Sequence, residues 1–267
     1  MEQGSLGKIL RMKIALIGAG NVATCLGPRL KEAGHEITAV YSRTQESART
    51  LADRLGAMYT TDIKAVTASD AAIVMLKDDA LKELAPAVAG CLHDTLLLHT
   101  AGSVSMDLWR EAGAIQYGVL YPMQTFSKGS RIDWSQVPLF IEGSSAAVLE
   151  NIRQLALTIS PDVTPLSSEG RKKLHLAAVF TCNFSNHMYA IAEQLLASEG
   201  VPFRVMLPLV RETARKVEGM SPQDAQTGPA VRGDGKIIRE HLELLKDYPE
   251  YAELYRLISI DINKDLK

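Results

Sequence analysis

Residues 13–33 read KIALIGAGNVATCLGPRLKEA, and this stretch decides the fold. Its first five residues form the apolar run of a buried strand, and residues 21–33 have a helical pattern that ends at Gly34. In the turn between them, Gly18 permits the tight bend, Gly20 lets the backbone approach a pyrophosphate, and small Ala23 lets helix and strand pack closely. The alternative is a glycine turn that serves packing alone.

The order of strand, turn and helix predicts a dinucleotide site. The phosphates would bind the free N–H groups at the start of the helix, where the helix dipole also favours negative charge. The residues expected to frame them are Gly18, Ala19, Gly20, Asn21, Val22 and Ala23. A methyltransferase-type turn usually keeps a third glycine close by, which makes that reading the weaker alternative.

The second predicted strand, EITAVY at residues 36–41, indicates which nucleotide binds. Sites that prefer NAD have Asp or Glu at the end of this strand, where the carboxylate binds both ribose hydroxyls. Here Ser42, Arg43 and Thr44 follow instead. A guanidinium flanked by two hydroxyls binds a 2′-phosphate by charge-assisted hydrogen bonds, so the predicted cofactor is NADP (NADPH). The alternative is that Ser42 or Thr44 only caps the next helix and that Arg43 is a solvated surface residue.

The alternation of strands and helices continues to about Pro165 and predicts an α/β fold: a Rossmann-like, doubly wound, mostly parallel sheet. From residue 168 onward the pattern contains only helix-length segments, which predicts an all-α C-terminal domain. The predicted domains are residues 12–165, which bind NADP, and residues 166–267, a helical domain that binds substrate and whose long apolar helix must be buried within the domain or across a dimer. The predicted strands are 13–17, 36–41, 70–76, 95–99, 114–119 and 138–141.

Bulk properties exclude several functions. The net charge of −2, without a long run of one sign, argues against nucleic acid and anionic membrane as partners. Three scattered cysteines, in no metal or redox spacing, favour reduced thiols in the cytoplasm and no metal site. No apolar run is long enough to span a bilayer, and residues 1–11, which resemble no secretory leader, are left out of the fold prediction.

Residues at the ends of later strands are expected to line the cofactor. In a doubly wound sheet the ligand lies beyond the carboxyl ends of the strands. Lys77 and Asp78 follow the strand predicted at residues 70–76, although Asp78 could instead only cap a helix. After the strand predicted at residues 95–99, Thr100, Ala101 and Gly102 are predicted to shape the cofactor wall. His99, at the end of that strand, is either a direct participant or a strand-end histidine with a structural partner.

A long helix predicted near residues 169–198 carries polar groups on an otherwise apolar surface. At 100° per residue, Lys172, His175, Asn183 and Asn186 fall within about 80° of one another. Hydride transfer to a carbonyl or imine needs a proton donor or a fixed hydrogen-bond donor beside it. His175 and Asn183 are therefore the predicted catalytic residues and Asn186 a substrate contact. The alternative is a polar seam between domains or subunits.

The segment TGPAVRGD, from Thr227 to Asp234, is the third candidate element. Gly and Pro exclude a helix here, while Asp234 can cap the helix that follows. Because it carries Thr227, Arg232 and Asp234, it is predicted to bind substrate. The alternative is a connecting turn held by an Arg232–Asp234 contact.

These motifs resemble a family of bacterial NADP oxidoreductases with a Rossmann-like N-terminal domain and a C-terminal domain of unknown function. The matching stretches cover nearly the whole chain: GAGNVA from Gly18, LHTAGS at residues 98–103, YPMQTF at 121–126, HLAAVFTCNF at 175–184, and TGPAVRGD through the following helix. The family often has His-Pro where this chain has Tyr121-Pro122. More distantly the chain is similar to pyrroline-5-carboxylate reductase, 6-phosphogluconate dehydrogenase and deazaflavin-dependent NADP reductases. The resemblance implies a homodimer through the helical domain and an active site between the domains.

Together these features favour an NADP-dependent oxidoreductase that acts on a small carbonyl or imine compound. The rival hypothesis is a sensor or regulatory protein that holds NADP without turnover, because a fold does not establish a reaction. Binding of a deazaflavin as a second cofactor has no direct support in the residues.

Overall fold

The computed structural model describes residues 11–67 and 69–266 of the 267-residue chain. Residues 1–11 are left out of the fold prediction, and of these, residues 1–10 lie outside the described part. Within it, every strand of the sheet precedes residue 166, and no strand occurs between residues 168 and 266, as the sequence predicts.

An eight-stranded sheet forms the centre of the first part of the chain, with strand order β3-β2-β1-β4-β5-β6-β7-β8. All neighbouring strands are parallel except β6 and β7, which are antiparallel. The predicted Rossmann-like, mostly parallel sheet is therefore confirmed. The strands are β1 Lys13–Ile17, β2 Glu36–Tyr41, β3 Met58–Thr60, β4 Ala71–Val74, β5 Leu96–His99, β6 Tyr117–Pro122, β7 Leu139–Gly143 and β8 Val163–Pro165.

The sequence pattern missed the two edge strands and misplaced one inner strand. β3 and β8 have three residues each, too few for a periodic pattern to register. The strand predicted at 114–119 is β6, which begins three residues later, because residues 114–116 belong to the turn after the preceding helix, where Ala114 N–H donates to the carbonyl oxygen of Trp109 at 3.0 Å.

The helices cover both faces of the sheet and then continue without strands. They are α1 Asn21–Glu32, α2 Gln45–Leu55, α3 Asp78–Cys91, α4 Asp107–Glu111, α5 Ala146–Leu157, α6 Ser168–Ala178, α7 Ser185–Ala197, α8 Leu207–Gly219, α9 Pro222–Ala225, α10 Gly235–Leu244 and α11 Pro249–Ile262. A π-helical segment, Val179–Phe184, lies between α6 and α7. Short 3-10 turns occur at Ile63–Ala65, Trp134–Gln136 and Phe203–Met206.

Alternate residues of each inner strand point into two separate cores, one on each face of the sheet. Ile14 and Leu16 belong to the core that includes side chains of α1, α2 and α5. Ala15 and Ile17 belong to the core that includes side chains of α3 and α4. Burial on both faces explains why β1 reads as a continuous apolar run.

The chain divides into two compact units, with the division between Cys182 and Asn183. The predicted domain boundary at residues 165/166 remains a prediction. The second unit consists of α7 to α11 and their connections. Among the described residues, no helix is both long and apolar enough to cross a bilayer.

Candidate functional site

The turn between β1 and α1 is built so that only glycine fits its first position. Gly18 has φ +121°, and a Cβ atom there would collide with the carbonyl oxygen of Met75 at the end of β4. Its N–H donates to the carbonyl oxygen of Tyr41, the last residue of β2, at 2.8 Å. The turn is therefore clamped between the carboxyl ends of β2 and β4.

Gly20 serves a different purpose from Gly18. It is the N-cap residue of α1 with an ordinary extended conformation, and no atom lies within 4 Å of the position of an added Cβ. The first turn of α1 has no acidic residue and no side-chain hydrogen bond at its cap. The start of the helix therefore faces open space with its N–H groups available to an anion.

The other predicted residues of this turn are occupied in packing. Ala23 is fully buried and Val22 packs against the same core. The Asn21 side chain donates to the carbonyl oxygen of Phe126 at 3.0 Å, so its amide holds a distant loop. Asn21 and Val22 can contribute to an anion site through their backbone N–H groups.

The three residues after β2 lie at the same edge of the sheet. Ser42 N–H donates to the carbonyl oxygen of Thr60 at 3.2 Å, which fixes the chain as it leaves the strand. Thr44 is the N-cap residue of α2, but its hydroxyl makes no cap hydrogen bond. Arg43 is exposed and joins no ion pair among residues 11–67 and 69–266. The Thr44 hydroxyl therefore does not serve as the cap that the alternative requires, whereas an exposed Arg43 fits both the phosphate site and a solvated surface residue.

A cavity of about 460 Å³ joins the glycine turn to these residues. Of the predicted cofactor residues, seven line it: Gly18, Ala19, Gly20, Ser42, Arg43, Thr44 and Lys77. Its other lining residues are Tyr41, Ser47, Met75, Leu76, Ala80, Glu83, Leu84 and Lys128. Three cations and one carboxylate give the wall an excess of positive charge, which suits a phosphorylated ligand.

The remaining predicted cofactor residues lie at the same sheet edge but outside this cavity. The Asp78 carboxylate, at the start of α3, accepts a short hydrogen bond from the Ser103 hydroxyl and so ties α3 to the loop after β5. Lys77, not Asp78, is the N-cap residue of α3. Thr100 N–H donates to the carbonyl oxygen of Val74 at 3.3 Å. Ala101 is half-buried and Gly102 is buried in that loop.

His99 is the strand-end histidine of the structural alternative. Its side chain is completely buried, and Nδ1 accepts the N–H of Ala101 at 3.2 Å. Burial, reinforced by the Arg171 charge, lowers the pKa of His99 to about 3. The neutral imidazole holds the loop through Nδ1, while Nε2 is buried and has no hydrogen-bond partner in the described part of the chain, and a direct role for His99 remains a prediction.

Beside the loop after β5, a second cluster brings His175 against Tyr121. The Tyr121 phenol oxygen lies 3.2 Å from Nδ1 of His175, and the two rings meet edge to face with centroids 6.3 Å apart. A Cβ atom on Gly102 would lie 2.8 Å from the imidazole, so only glycine admits the ring here. Tyr121 is near the carboxyl end of β6, which places this cluster at the ligand-binding edge of the sheet.

Arg171, one turn before His175, anchors α6 to this edge. Its guanidinium is 1% exposed and pairs with the Glu142 carboxylate at 2.7 Å. It also donates to the carbonyl oxygens of Ala101 at 3.1 Å and Val104 at 2.5 Å. Ser168 completes the network with hydrogen bonds to Glu142. The loop after β5, the strand β7 and the helix that carries His175 are thereby locked together.

The stripe of polar residues predicted along the long helix assumes a constant turn of 100° per residue, and the structure departs from that geometry. The π-helical segment Val179–Phe184 stands between His175 and Asn186 and includes Asn183. A π-helix has i→i+5 hydrogen bonds, so the 100° step fails across it. Lys172, His175, Asn183 and Asn186 are all exposed, and catalytic roles for Asn183 and Asn186 remain predictions.

The segment from Thr227 to Asp234 is an irregular connection between α9 and α10, as predicted. The predicted cap is confirmed, since the Asp234 carboxylate accepts the N–H of Ile237 at 3.2 Å. Thr227 and Arg232 are exposed, and within the described residues no ion pair joins Arg232 to Asp234. Asn263 holds the loop by donating to the Ala230 carbonyl oxygen at 2.9 Å. Substrate binding by this loop remains a prediction.

Comparison with known proteins identifies the family. One family model, described as NADP oxidoreductase coenzyme F420-dependent, matches residues 13–102, and another, a domain of unknown function (DUF2520), matches residues 137–262. The crystal structure of a “putative NADP oxidoreductase” from Bacteroides fragilis is 49% identical, covers 96% of this chain and all of its own, and has a TM-score of 0.91. The chain belongs to this family of NADP oxidoreductases. The resemblance seen in the sequence is confirmed.

More distant structures share the fold of this oxidoreductase family. An imine reductase from Myxococcus stipitatus, a V8 variant in complex with NAD+, is 19% identical over 96% of this chain and 95% of its own, with a TM-score of 0.63. A 1-pyrroline-5-carboxylate reductase from Streptococcus pyogenes is 17% identical over 95% and 99%, with a TM-score of 0.61. Among curated proteins, no sequence match was found.

Three residues of the candidate site have no role in the sequence prediction. Tyr121 belongs to YPMQTF, one of the stretches that match the family, but nothing in the sequence near it indicates a contact with His175. Lys128 lies in a polar stretch, KGSR, that reads as an ordinary loop. Arg171 sits in RKK, which reads as a solvated helix face; its position four residues before His175 is the one signal available in the sequence.

Proposed function

We propose that this oxidoreductase uses NADPH to reduce a small carbonyl or imine compound. The observation that carries the proposal is the single cavity that connects the Gly18–Gly20 turn with Arg43. A dinucleotide bound across the carboxyl ends of β1 and β2 places its pyrophosphate on the turn and its adenosine ribose beside the end of β2.

The chain's own groups fit the 2′-phosphate of NADP better than the free ribose hydroxyls of NAD. No carboxylate occurs at residues 41–45 to bind ribose hydroxyls, and Arg43 is free of competing ion pairs in the described part of the chain. Glu83 is the one carboxylate in the wall; it lies on α3, and Lys77 and Lys128 offset its charge. Ser42 and Thr44 add hydroxyl donors beside the guanidinium.

His175 is the proposed proton donor. NADPH, when bound, supplies a hydride to the substrate carbon. His175, on α6, lies against Gly102 of the loop after β5, is exposed, and carries an imidazole, the group that most often serves in general acid–base catalysis. Asn183 and Asn186, with Thr227, Arg232 and Asp234, are proposed as further substrate contacts. Imines are the first substrates to test, because the two distant structural relatives are an imine reductase and a pyrroline-5-carboxylate reductase.

Titration of the protein with NADPH and then NADH, followed by fluorescence, tests the cofactor proposal. We expect NADPH to bind at least tenfold more tightly, about 1.4 kcal/mol. Arg43→Ala should abolish this preference. Arg49→Ala, on the following helix α2, should leave it intact, because the Arg49 guanidinium already pairs with Asp53 at 3.6 Å. Equal affinity for both nucleotides in the unaltered protein would contradict NADP specificity.

Turnover is tested separately with 1-pyrroline as a cyclic imine and with a panel of small aldehydes and ketones. Oxidation of NADPH should accompany reduction, and His175→Ala should slow it by about 10²-fold or more. Tight NADPH binding without turnover, and without hydrogen exchange at C4 of the nicotinamide, would favour the sensor hypothesis.

We also propose that the protein is a cytoplasmic homodimer. The second unit leaves large apolar side chains exposed, including Leu209 at 64% and Leu244 at 77%, and free thiols at all three cysteines favour a reducing compartment. Light scattering during gel filtration should give about twice the chain mass of 29.1 kDa. The double variant Leu209→Asp/Leu244→Asp should favour the monomer, and Leu157→Asp, an exposed leucine of α5, should not. A mass of one chain for the unaltered protein would contradict the dimer.

A further inference from the structure

The Tyr121 phenol has two hydrogen-bond partners, and together they determine in which bond the phenol donates and in which it accepts. Its oxygen lies 3.2 Å from Nδ1 of His175 and 3.5 Å from Sδ of Met123. Burial raises the pKa of Tyr121, although the Arg171 charge opposes this, so the phenol keeps its proton at neutral pH. One O–H group can therefore be donated, and one lone pair can accept.

The two bonds are satisfied together in one arrangement. Met123 Sδ has no proton and can only accept, so it takes the phenol O–H. The phenol oxygen is then free to accept a proton from Nδ1 of His175. This chain of donors remains intact whether the imidazole is neutral or protonated, because Nδ1 carries a hydrogen in both states.

We infer that Tyr121 is a positioning residue that keeps a proton on Nδ1 of His175 and thereby reserves Nε2 for proton exchange with the substrate. The inference rests on the proposed function. The His175 side-chain atoms Cβ, Cγ and Nδ1 face the position of a Cβ on Gly102 at 2.8–2.9 Å, so the loop covers the same side of the ring as Tyr121. Nε2 lies on the opposite edge of the ring from the contacts with Tyr121 and Gly102, and the His175 side chain as a whole is exposed.

The proton balance requires this arrangement. When the substrate carbon accepts a hydride, the π electron pair of its C=N or C=O bond moves to the heteroatom, and the imidazolium gives that atom its Nε2 proton. His175 is left neutral, with its remaining proton on Nδ1 still donated to Tyr121, and solvent restores the Nε2 proton. If Tyr121 donated to Nδ1 instead, the neutral ring would hold its only proton on Nε2 and could release it only as an imidazolate.

The tautomer of His175 can be measured without any substrate. In protein labelled with 15N at histidine, the ring nitrogen shifts at about pH 8.5, above the usual imidazole range, distinguish the two tautomers, and His175→Gln assigns the signals. We expect the Nδ1–H tautomer in the unaltered protein and its loss in Tyr121→Phe. Tyr117→Phe, on the same strand, is the matched control and should retain it. An Nε2–H tautomer in the unaltered protein, or an unchanged tautomer in Tyr121→Phe, would overturn the inference.

Kinetics provide the second readout. With NADPH and whichever imine or carbonyl probe is turned over, Tyr121→Phe should lower kcat about tenfold or more while the NADPH dissociation constant stays unchanged, since the residue orients the proton donor and lies outside the cofactor cavity. Unchanged kcat would contradict the positioning role. If no probe is turned over by the unaltered protein, the proposed function fails, whereas the tautomer measurement still decides the hydrogen-bond direction.

Discussion

Asn21, in the first turn of α1, donates a hydrogen bond to the carbonyl oxygen of Phe126, which lies 105 residues further along the chain. One turn on, the Cys25 thiol makes a second link, 3.6 Å from Sγ to the carbonyl oxygen of Ser127. These two contacts hold the chain at Lys128 beside the glycine turn, where Lys128 lines the same cavity as Arg43. The start of α1 therefore positions a cation that the glycine motif does not contain.

Lys128→Ala should weaken NADPH binding about two- to fivefold, because an exposed cation beside a phosphate contributes at most about 1 kcal/mol. The difference should shrink at high salt, since counterions screen exposed charges. Asn21→Ala should reproduce part of the loss by releasing the loop. Fluorescence titration at low and high salt measures the effect, with Lys64→Ala, an exposed lysine outside the cavity, as the control. Equal losses for both lysine variants would remove Lys128 from the site.

The two glycines of the turn should respond differently to an added methyl group. Gly18→Ala places a Cβ against the Met75 carbonyl oxygen at φ +121°, so we expect the free energy of unfolding to fall by about 2 kcal/mol or more. Gly20→Ala meets no protein atom within 4 Å and should change stability by less than about 1 kcal/mol, yet it should abolish NADPH binding by filling the space for the phosphates. Urea unfolding and nucleotide titration on both variants separate the two effects. Tight NADPH binding by Gly20→Ala would show that the phosphates lie elsewhere.

Arg171→Met should destabilise the protein by about 3–5 kcal/mol, because it leaves the half-buried Glu142 carboxylate without its partner and frees the carbonyls of Ala101 and Val104. The double variant Arg171→Met/Glu142→Leu should recover part of this loss, since both charges are then absent. Arg153→Met, which breaks a more exposed pair with Glu150, is the control and should cost less than about 1 kcal/mol. A loss for Arg171→Met no larger than that of the control would show that the network does not hold α6.

The stability of the protein should fall between pH 6.5 and pH 5 because of buried His99. Its folded-state pKa of about 3 lies below the unfolded value, so the unfolded chain binds a proton in this range that the folded chain does not. Unfolding is then favoured as pH falls, with a slope that approaches about 1.4 kcal/mol per pH unit for this one group. His35, whose pKa burial also lowers, adds in the same direction.

His99→Asn should reduce this slope, because a side-chain carbonyl can still accept the Ala101 N–H but does not titrate. Free energies of unfolding in urea at several pH values provide the measurement. His93→Asn, an exposed histidine beside Asp94, should keep the full slope. Identical slopes for the unaltered protein and His99→Asn would place the titration on other groups.

The sequence alone predicted the sheet, the dinucleotide turn and the family. Those predictions depend on local physics: apolar runs for strands buried on both faces, a glycine with positive φ at Gly18, and a cation in place of a carboxylate at Arg43. Each signal lies within a few consecutive residues, so no knowledge of the tertiary fold was needed to recognise it. The geometry of the long helix was not predicted correctly. The prediction assumed a uniform 100° step per residue, and no local sequence pattern indicated the π-helical segment Val179–Phe184.

Only the tertiary structure decided which distant residues meet. Tyr121 and His175 are 54 residues apart and come together because β6 ends at the sheet edge on which α6 is anchored by Arg171. His175 is the predicted catalytic histidine and His99 a second candidate with a structural alternative; in the structure His99 is completely buried, whereas His175 is exposed beside a glycine. The difference is one of packing. Burial makes the neutral form of His99 the stable one, whereas His175 packs against a glycine and remains exposed to solvent.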